Sequence, residues 1–219
     1  MKSLKQHIFE KLKVSKQTYT LFPKTKDELK QMIEDEISEN GNECSLNHIN
    51  VSKITDMSKL FYGSEFNGDI SNWDVLNVEN MKYMFSYSTF NKDISDWNVS
   101  NVANMSELFY GSKFNGDISN WDVSNVKYMG GMFERSIFTG NISDWNVSSV
   151  ENMDEMFAYS NFDGDISDWN VSNVINMEYM FFDSAFNGDI SNWNVSSVSN
   201  MNNMFNYSPL ENNPPVWYK

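Results

Sequence analysis

NGDISNWDVSNVKYMGGMFERSIF, residues 115–138, is one period of a 24-residue pattern, and reading it decides the fold. All seven tryptophans of the chain lie at that interval: Trp73, Trp97, Trp121, Trp145, Trp169, Trp193 and Trp217. In the same phase run Val75, Val99, Val123, Val147, Val171 and Val195, then Val78, Val102, Val126, Val150, Val174 and Val198. Met81, Met105, Met129, Met153, Met177 and Met201 follow in register. A fixed period in this range marks stacked repeats, in which one unit cannot bury its apolar face alone and a row of units buries a continuous core.

Outward from this unit, the phase reaches back to a degenerate first coil, Ile49, Val51, Ile54, Met57, Leu60 and Phe61. Forward, it reaches a terminal coil in which Leu210 replaces Phe, Pro214 replaces Ile and Trp217 survives. Within a unit, Ile70-x-x-Trp73-x-Val75 alternates as a short strand does, and Val78, Met81, Met84 and Phe85 fall on one face of a short helical turn. A turn follows, with serine in its first place in every copy from Ser64 to Ser208. The strand part fits the L-x-x-L-x-L frame with Ile, Trp and Val substituted. The expected fold is therefore an α/β repeat: a right-handed leucine-rich-repeat-like solenoid with 24-residue coils. It has a parallel sheet on one side, strands about 4.8 Å apart, short helical turns on the other and a helical N-terminal cap. The Trp, Met and Phe positions are read as core ladders.

Four segments are expected: residues 1–21, an N-terminal helix and linker; 22–48, a helical N-terminal cap; 49–208, the repeat array; and 209–219, the degenerate last coil. Leu4, Ile8, Phe9 and Leu12 share one side of a helix over residues 3–13, whose mixed charge also suits a docking or packaging tag. Thr25-Lys26-Asp27-Glu28 is a capping box that opens a second helix, running to about Ser38 and ending near Asn40-Gly41.

Residues 1–48 carry equal numbers of lysines and acidic residues, so the formal charge of −14 sits on the array. Such a surface disfavours nonspecific attraction to nucleic acid or anionic membrane. No stretch approaches transmembrane length, and Lys2, Lys5, Glu10, Lys11 and Lys13 interrupt any signal-like start. The expectation is a cytoplasmic or virion-associated protein, with surface display only by a non-classical route. Cys44 is the one cysteine, so no internal disulfide forms.

The units NGDISNWDVSNV (115–126) and NMSELF (104–109) and the opening LNHINVSKITDMSKLF (46–61) resemble the BspA-like family of leucine-rich-repeat proteins, also described as a mycoplasma-type repeat domain of unknown function. The resemblance covers residues 22 to about 208. It implies the repeat fold and a binding role, since many members are bacterial surface proteins implicated in adhesion and others are short signal-less proteins of bacteria or phages. It carries over no catalytic residue.

No residue pattern points to catalysis. His7 and His48 lie outside the array with one distant cysteine, so no zinc pattern forms, and no nucleophile elbow, phosphate loop or H-E-x-x-H occurs. No cofactor, metal or catalytic residue is expected. Asp69, Asp93, Asp117, Asp165 and Asp189 form a column interrupted by Asn141; its readings are turn capping and calcium between coils.

Two surfaces are candidate binding sites. The residues flanking tryptophan, Asn72/Asp74, Asp96/Asn98, Asn120/Asp122, Asp144/Asn146 and Asp168/Asn170, form a strand-face checkerboard of amides and carboxylates. Avoidance of like-charge neighbours explains it, and so does recognition of a basic or hydroxyl-rich partner. The second surface is the helix side, with Tyr62, Tyr83, Tyr87, Tyr110, Tyr159 and Tyr179. The leading function is a non-catalytic protein–protein interaction scaffold. The alternatives are a carbohydrate-binding adhesin, a structural virion or envelope component, and an acidic mimic of nucleic acid. The expected partner is a protein or a glycan, without direct nucleic-acid binding or membrane insertion; the sequence leaves the oligomeric state open.

Overall fold

The computed structural model describes residues 18–218. The helix expected over residues 3–13 lies outside them. Thr25 is extended, and its hydroxyl accepts the N–H of Glu28 at 3.2 Å. The Glu28 carboxylate in turn accepts the N–H of Lys24 at 2.6 Å. These contacts open helix α1, Lys26–Asn40. Gly41 ends it at φ 82°, donating its N–H to the Ile37 carbonyl. Leu29 and Ile33 are buried in the same apolar cluster as the first coil, and Lys26 Nζ reaches the Asp56 carboxylate at 3.2 Å.

The rest of the described chain is a stack of 24-residue coils joined through the backbone. Met57, Lys59, Phe61 and Gly63 donate their N–H groups to the carbonyls of Asn80, Lys82, Met84 and Ser86 in the next coil, at 2.8–3.0 Å. The set recurs in each coil down to Met177, Tyr179, Phe181 and Asp183, which donate to Asn200, Asn202, Met204 and Asn206. Intervening N–H groups close overlapping four-residue turns, Leu60 onto Met57, Tyr62 onto Lys59 and Ser64 onto Phe61. Two residues per coil adopt left-handed backbone to make this possible. One column is Lys59, Tyr83, Glu107, Gly131, Glu155, Tyr179 and Asn203, and the other is Gly63, Tyr87, Gly111, Arg135, Tyr159, Asp183 and Tyr207, with φ between 48° and 64°.

This overturns the expected α/β solenoid with a parallel sheet and short helical turns. Among the described residues the one α-helix is α1, and β-pairing is confined to isolated parallel bridges such as Asp56↔Asn80 and Asn176↔Asn200. The physical reason is the direction of the backbone donors. Helical N–H groups point along the local chain to the fourth preceding residue. Here alternate N–H groups turn sideways to the neighbouring coil, and two left-handed residues four apart in each coil, such as Lys59 and Gly63, rule out a helix. The segment expected as strand, Ile70 to Val75, is a chain of turns: Trp73 N–H closes onto Ile70, and Val78 N–H onto Val75.

Side chains hold those turns. The carboxylates of Asp69, Asp93, Asp117, Asp165 and Asp189, and the amide of Asn141, each accept the N–H two residues on, at 2.9–3.1 Å. This is the capping use of Asp and Asn in turns. These hydrogen bonds, from Ser71, Ser95, Ser119, Ser167 and Ser191, hold the five carboxyls below the usual carboxylate range in spite of the burial that opposes it at Asp69.

The core is a set of aromatic files. Phe61, Phe85, Phe109, Phe133, Phe157, Phe181 and Phe205 follow one another at ring separations of 5.5–5.9 Å with nearly parallel planes. A second file, Phe66 to Phe186, packs against the first at 4.2–4.9 Å within each coil. Each indole also donates Nε1–H to the carbonyl 27 residues earlier, from Trp73 onto Leu46 to Trp217 onto Ile190, at 2.9–3.1 Å. Tryptophan thus fills the core and ties adjacent coils with a polar bond, which Leu or Phe cannot do.

Trp121→Phe is expected to cost about 1–3 kcal/mol, because it removes the inter-coil indole bond to the Ile94 carbonyl, which keeps the Trp97 N–H at 3.1 Å, and opens a cavity; denaturant unfolding measures it. Gly63 has no atom within 4 Å of where a Cβ would stand. Gly63→Ala therefore tests the left-handed backbone alone, and a loss of about 1 kcal/mol is expected in the same assay.

Candidate functional site

The left-handed residues bring the tyrosines together. Lys59, Tyr62, Tyr83, Tyr87, Glu107, Tyr110, Glu134 and Glu155 line a cleft of about 440 Å³. Glu155 also borders a second cleft of about 540 Å³, with Ala158, Tyr159, Tyr179, Phe182, Asn203, Asn206 and Tyr207. The two therefore adjoin. Of the predicted tyrosines, Tyr62, Tyr83, Tyr87 and Tyr110 meet in the first cleft and Tyr159 and Tyr179 in the second. Their rings pack edge to face: Tyr62–Tyr87 at 5.9 Å, Tyr87–Tyr110 at 4.8 Å, Tyr159–Phe182 and Tyr179–Phe182 both at 5.3 Å. Tyr62, Tyr87, Tyr159 and Tyr207 stay well exposed.

Cations of the chain already sit on these rings. Arg135 lies 4.0 Å over Tyr159 and 3.4 Å from the Glu134 carboxyl, and the ammonium groups of Lys59 and Lys82 lie 5.1 and 4.8 Å from the Tyr83 ring. The carboxyls are the part that sequence reading passed over. Glu134 is buried, and burial first, then repulsion and hydrogen bonding from Glu155, push its pKa up to about 8, with Arg135 opposing. Hydrogen bonding to Glu107 pushes the Tyr83 phenol up to about 12. A signal for Glu134 exists: it follows buried Phe133 at a position that holds Tyr62, Ser86, Tyr110, Ala158, Phe182 and Asn206 in other coils.

The checkerboard flanking tryptophan sits on turns, not on a strand face, because the ladder of inter-coil bonds runs along residues 57–63 and their equivalents. Asn72, Asp74, Asp96, Asn98, Asn120, Asp122, Asp144, Asn146, Asp168 and Asn170 are all exposed. Its two columns differ in use. Asp74, Asn98, Asp122, Asn146 and Asn170 each cap the N–H two residues on. Among the described residues, the side chains of Asn72, Asp96, Asn120, Asp144 and Asp168 make no hydrogen bond or ion pair, so this outer column alone is free to meet a partner.

Among the described residues, no three His, Cys, Asp or Glu side chains are placed to hold a metal ion, and no helix is long and apolar enough to cross a membrane.

Because Glu134 binds its proton more tightly folded than unfolded, its contribution is fully present below about pH 4.5 and is lost as pH rises toward about 8. Glu134→Gln is expected to flatten the fall in thermal midpoint between pH 5 and pH 9; identical pH profiles for the two proteins would refute the buried, proton-holding carboxyl.

Comparison with curated proteins and with solved structures gives no match. Residues 27–139 and 134–217 match a protein family, and together they span most of the chain. The chain with these aromatic clefts and acid-capped coils belongs to the family described as Mycoplasma protein of unknown function, DUF285.

Proposed function

We propose that this protein is a non-catalytic interaction scaffold whose working surface is the pair of adjoining aromatic clefts, and whose partner is a protein. One observation carries this reading. Left-handed backbone costs a residue with a side chain about 1–2 kcal/mol that glycine does not incur, yet eleven of the fourteen such positions in the two columns hold side chains. Nine of these eleven line the clefts: Lys59, Tyr83, Tyr87, Glu107, Glu155, Tyr159, Tyr179, Asn203 and Tyr207. Strain retained where it presents tyrosine and carboxylate is strain with a use. Exposed tyrosine is a preferred contact residue, large in area and low in conformational freedom.

The BspA-like resemblance of the repeat units supports binding rather than catalysis. A second reading, glycan binding, is favoured by the Tyr159–Tyr207 cleft, where Asn203 and Asn206 place amides beside aromatic faces.

The test replaces Tyr62, Tyr87, Tyr159 and Tyr207 by alanine and compares capture of proteins from lysate with that of the parent chain. A second variant changes Asp96, Asp144 and Asp168 to asparagine. Loss of a dominant captured protein only in the tyrosine variant is expected. Loss only in the aspartate variant moves the interface to the outer column, and retention on a glycan array with no protein captured favours the glycan reading.

A further inference from the structure

The first cleft has a chemical bias that narrows the partner. Its lining sets the carboxyls of Glu107, Glu134 and Glu155 and the ammonium of Lys59 among walls formed by Tyr62, Tyr83, Tyr87 and Tyr110, with Lys82 over the Tyr83 ring and Arg135 beside Glu134 at its border. Building on the scaffold reading, we propose that this cleft receives an arginine side chain from an extended segment of the partner protein.

The chain itself displays the required arrangement next door. Its one arginine, Arg135, sits 4.0 Å over the Tyr159 ring while its Nε stands 3.4 Å from Glu134. Tyrosine and glutamate recur together in the first cleft, where Tyr87 and Tyr110 meet edge to face at 4.8 Å and the Tyr83 phenol faces Glu107. Tyr62 and Tyr87 are about half exposed, so ring surface is left for a planar cation. Guanidinium suits this better than ammonium, since it stacks on the ring and offers several donors to carboxylates at once. The ring faces already taken by Lys59 and Lys82 belong to Tyr83, which leaves Tyr62, Tyr87 and Tyr110 as the walls for an incoming group.

Charge complementarity argues the same way. Carboxylates crowded in a half-enclosed site are relieved by a cation, and the acidic array steers a basic segment toward it from solution. The burial and mutual repulsion that hold the Glu134 proton are the conditions under which an arriving guanidinium releases it. Arginine binding is therefore coupled to loss of a proton and strengthens between pH 6 and pH 9.

The experiment titrates the full chain, by calorimetry at low and moderate salt, with an acetylated Gly-Arg-Gly-Arg-Gly amide and with its lysine counterpart. The variants are Glu107→Gln, Tyr87→Ala and, as a control of equal charge change, the exposed Glu211→Gln at the last coil. The expected result is saturable binding that is at least threefold tighter for the arginine peptide. It is weakened about tenfold by Glu107→Gln and by Tyr87→Ala, is unchanged in Glu211→Gln, and releases more protons into buffer at pH 7 than at pH 9. Equal binding of both peptides, equal loss in Glu211→Gln, or no saturable binding overturns the proposal. A captured protein that requires the tyrosines but ignores Glu107→Gln would sink the arginine inference and leave the scaffold reading standing. A saturable arginine-peptide site in a chain that captures no protein does the reverse.

Discussion

The hydrogen bonds from one coil to the next along residues 57–63 and their equivalents are the constraint on which the rest of this protein depends. Each repeat sends four backbone N–H groups sideways into its neighbour, at 2.7–3.0 Å. A coil that does so cannot be helical there, because the same donors would be needed within the chain. Nor does it become a continuous strand, because the groups between them fold back into four-residue turns. The result is a backbone with little regular secondary structure whose polar groups are nonetheless paired, as burial demands.

From this follow the two columns of left-handed residues and the dependence on side-chain caps. Most corners carry a side-chain acceptor for the N–H two residues on, supplied by Asp, Asn or Ser, as from Asp56 to Ser58, Asp69 to Ser71 and Ser64 to Phe66. That explains the density of Asp and Asn on the surface better than a demand for charge does. In the column beginning at Asp69, Asn141 makes the same turn as its aspartate neighbours, so the amide and the carboxylate are interchangeable as caps. The net charge of the array is in part a by-product of how its turns are closed.

The clefts are a consequence of the same backbone. A left-handed residue points its side chain away from the packed interior at a corner, so the Tyr, Glu and Asn residues placed there rise from the surface and line a groove between successive corners. The aromatic files inside and the tyrosine walls outside are thus two products of one 24-residue period, one buried and constant, the other exposed and varied. Constancy is required inside because each ring stacks on its equivalents. Outside, the corner residues vary from coil to coil, with Gly131 and Arg135 in the middle of the row and Glu155 bordering both clefts.

The period, the extent of the stack, the core positions and the helix after Thr25 were all readable in the residues, because burial imposes near-identity at the copies of Trp73, Val78, Met81 and Phe85, with Ile49 and Ile54 in the degenerate first coil, and because capping chemistry is local. Tyr62, Tyr83, Tyr87, Tyr110, Tyr159 and Tyr179 were also visible as the variable exposed aromatics. The backbone conformation was not. An apolar spacing of three, three and one fits a helical turn as well as it fits a row of left-handed corners, and Lys59, Glu107 and Glu155 are not residues that announce positive φ. The use of one Asp/Asn column for capping and the freedom of the other, and the meeting of Glu107, Glu134 and Glu155 from three successive coils, were likewise decided only by tertiary structure. Local sequence determines which side chains repeat, whereas the direction of a backbone N–H depends on whether a neighbouring coil stands ready to accept it.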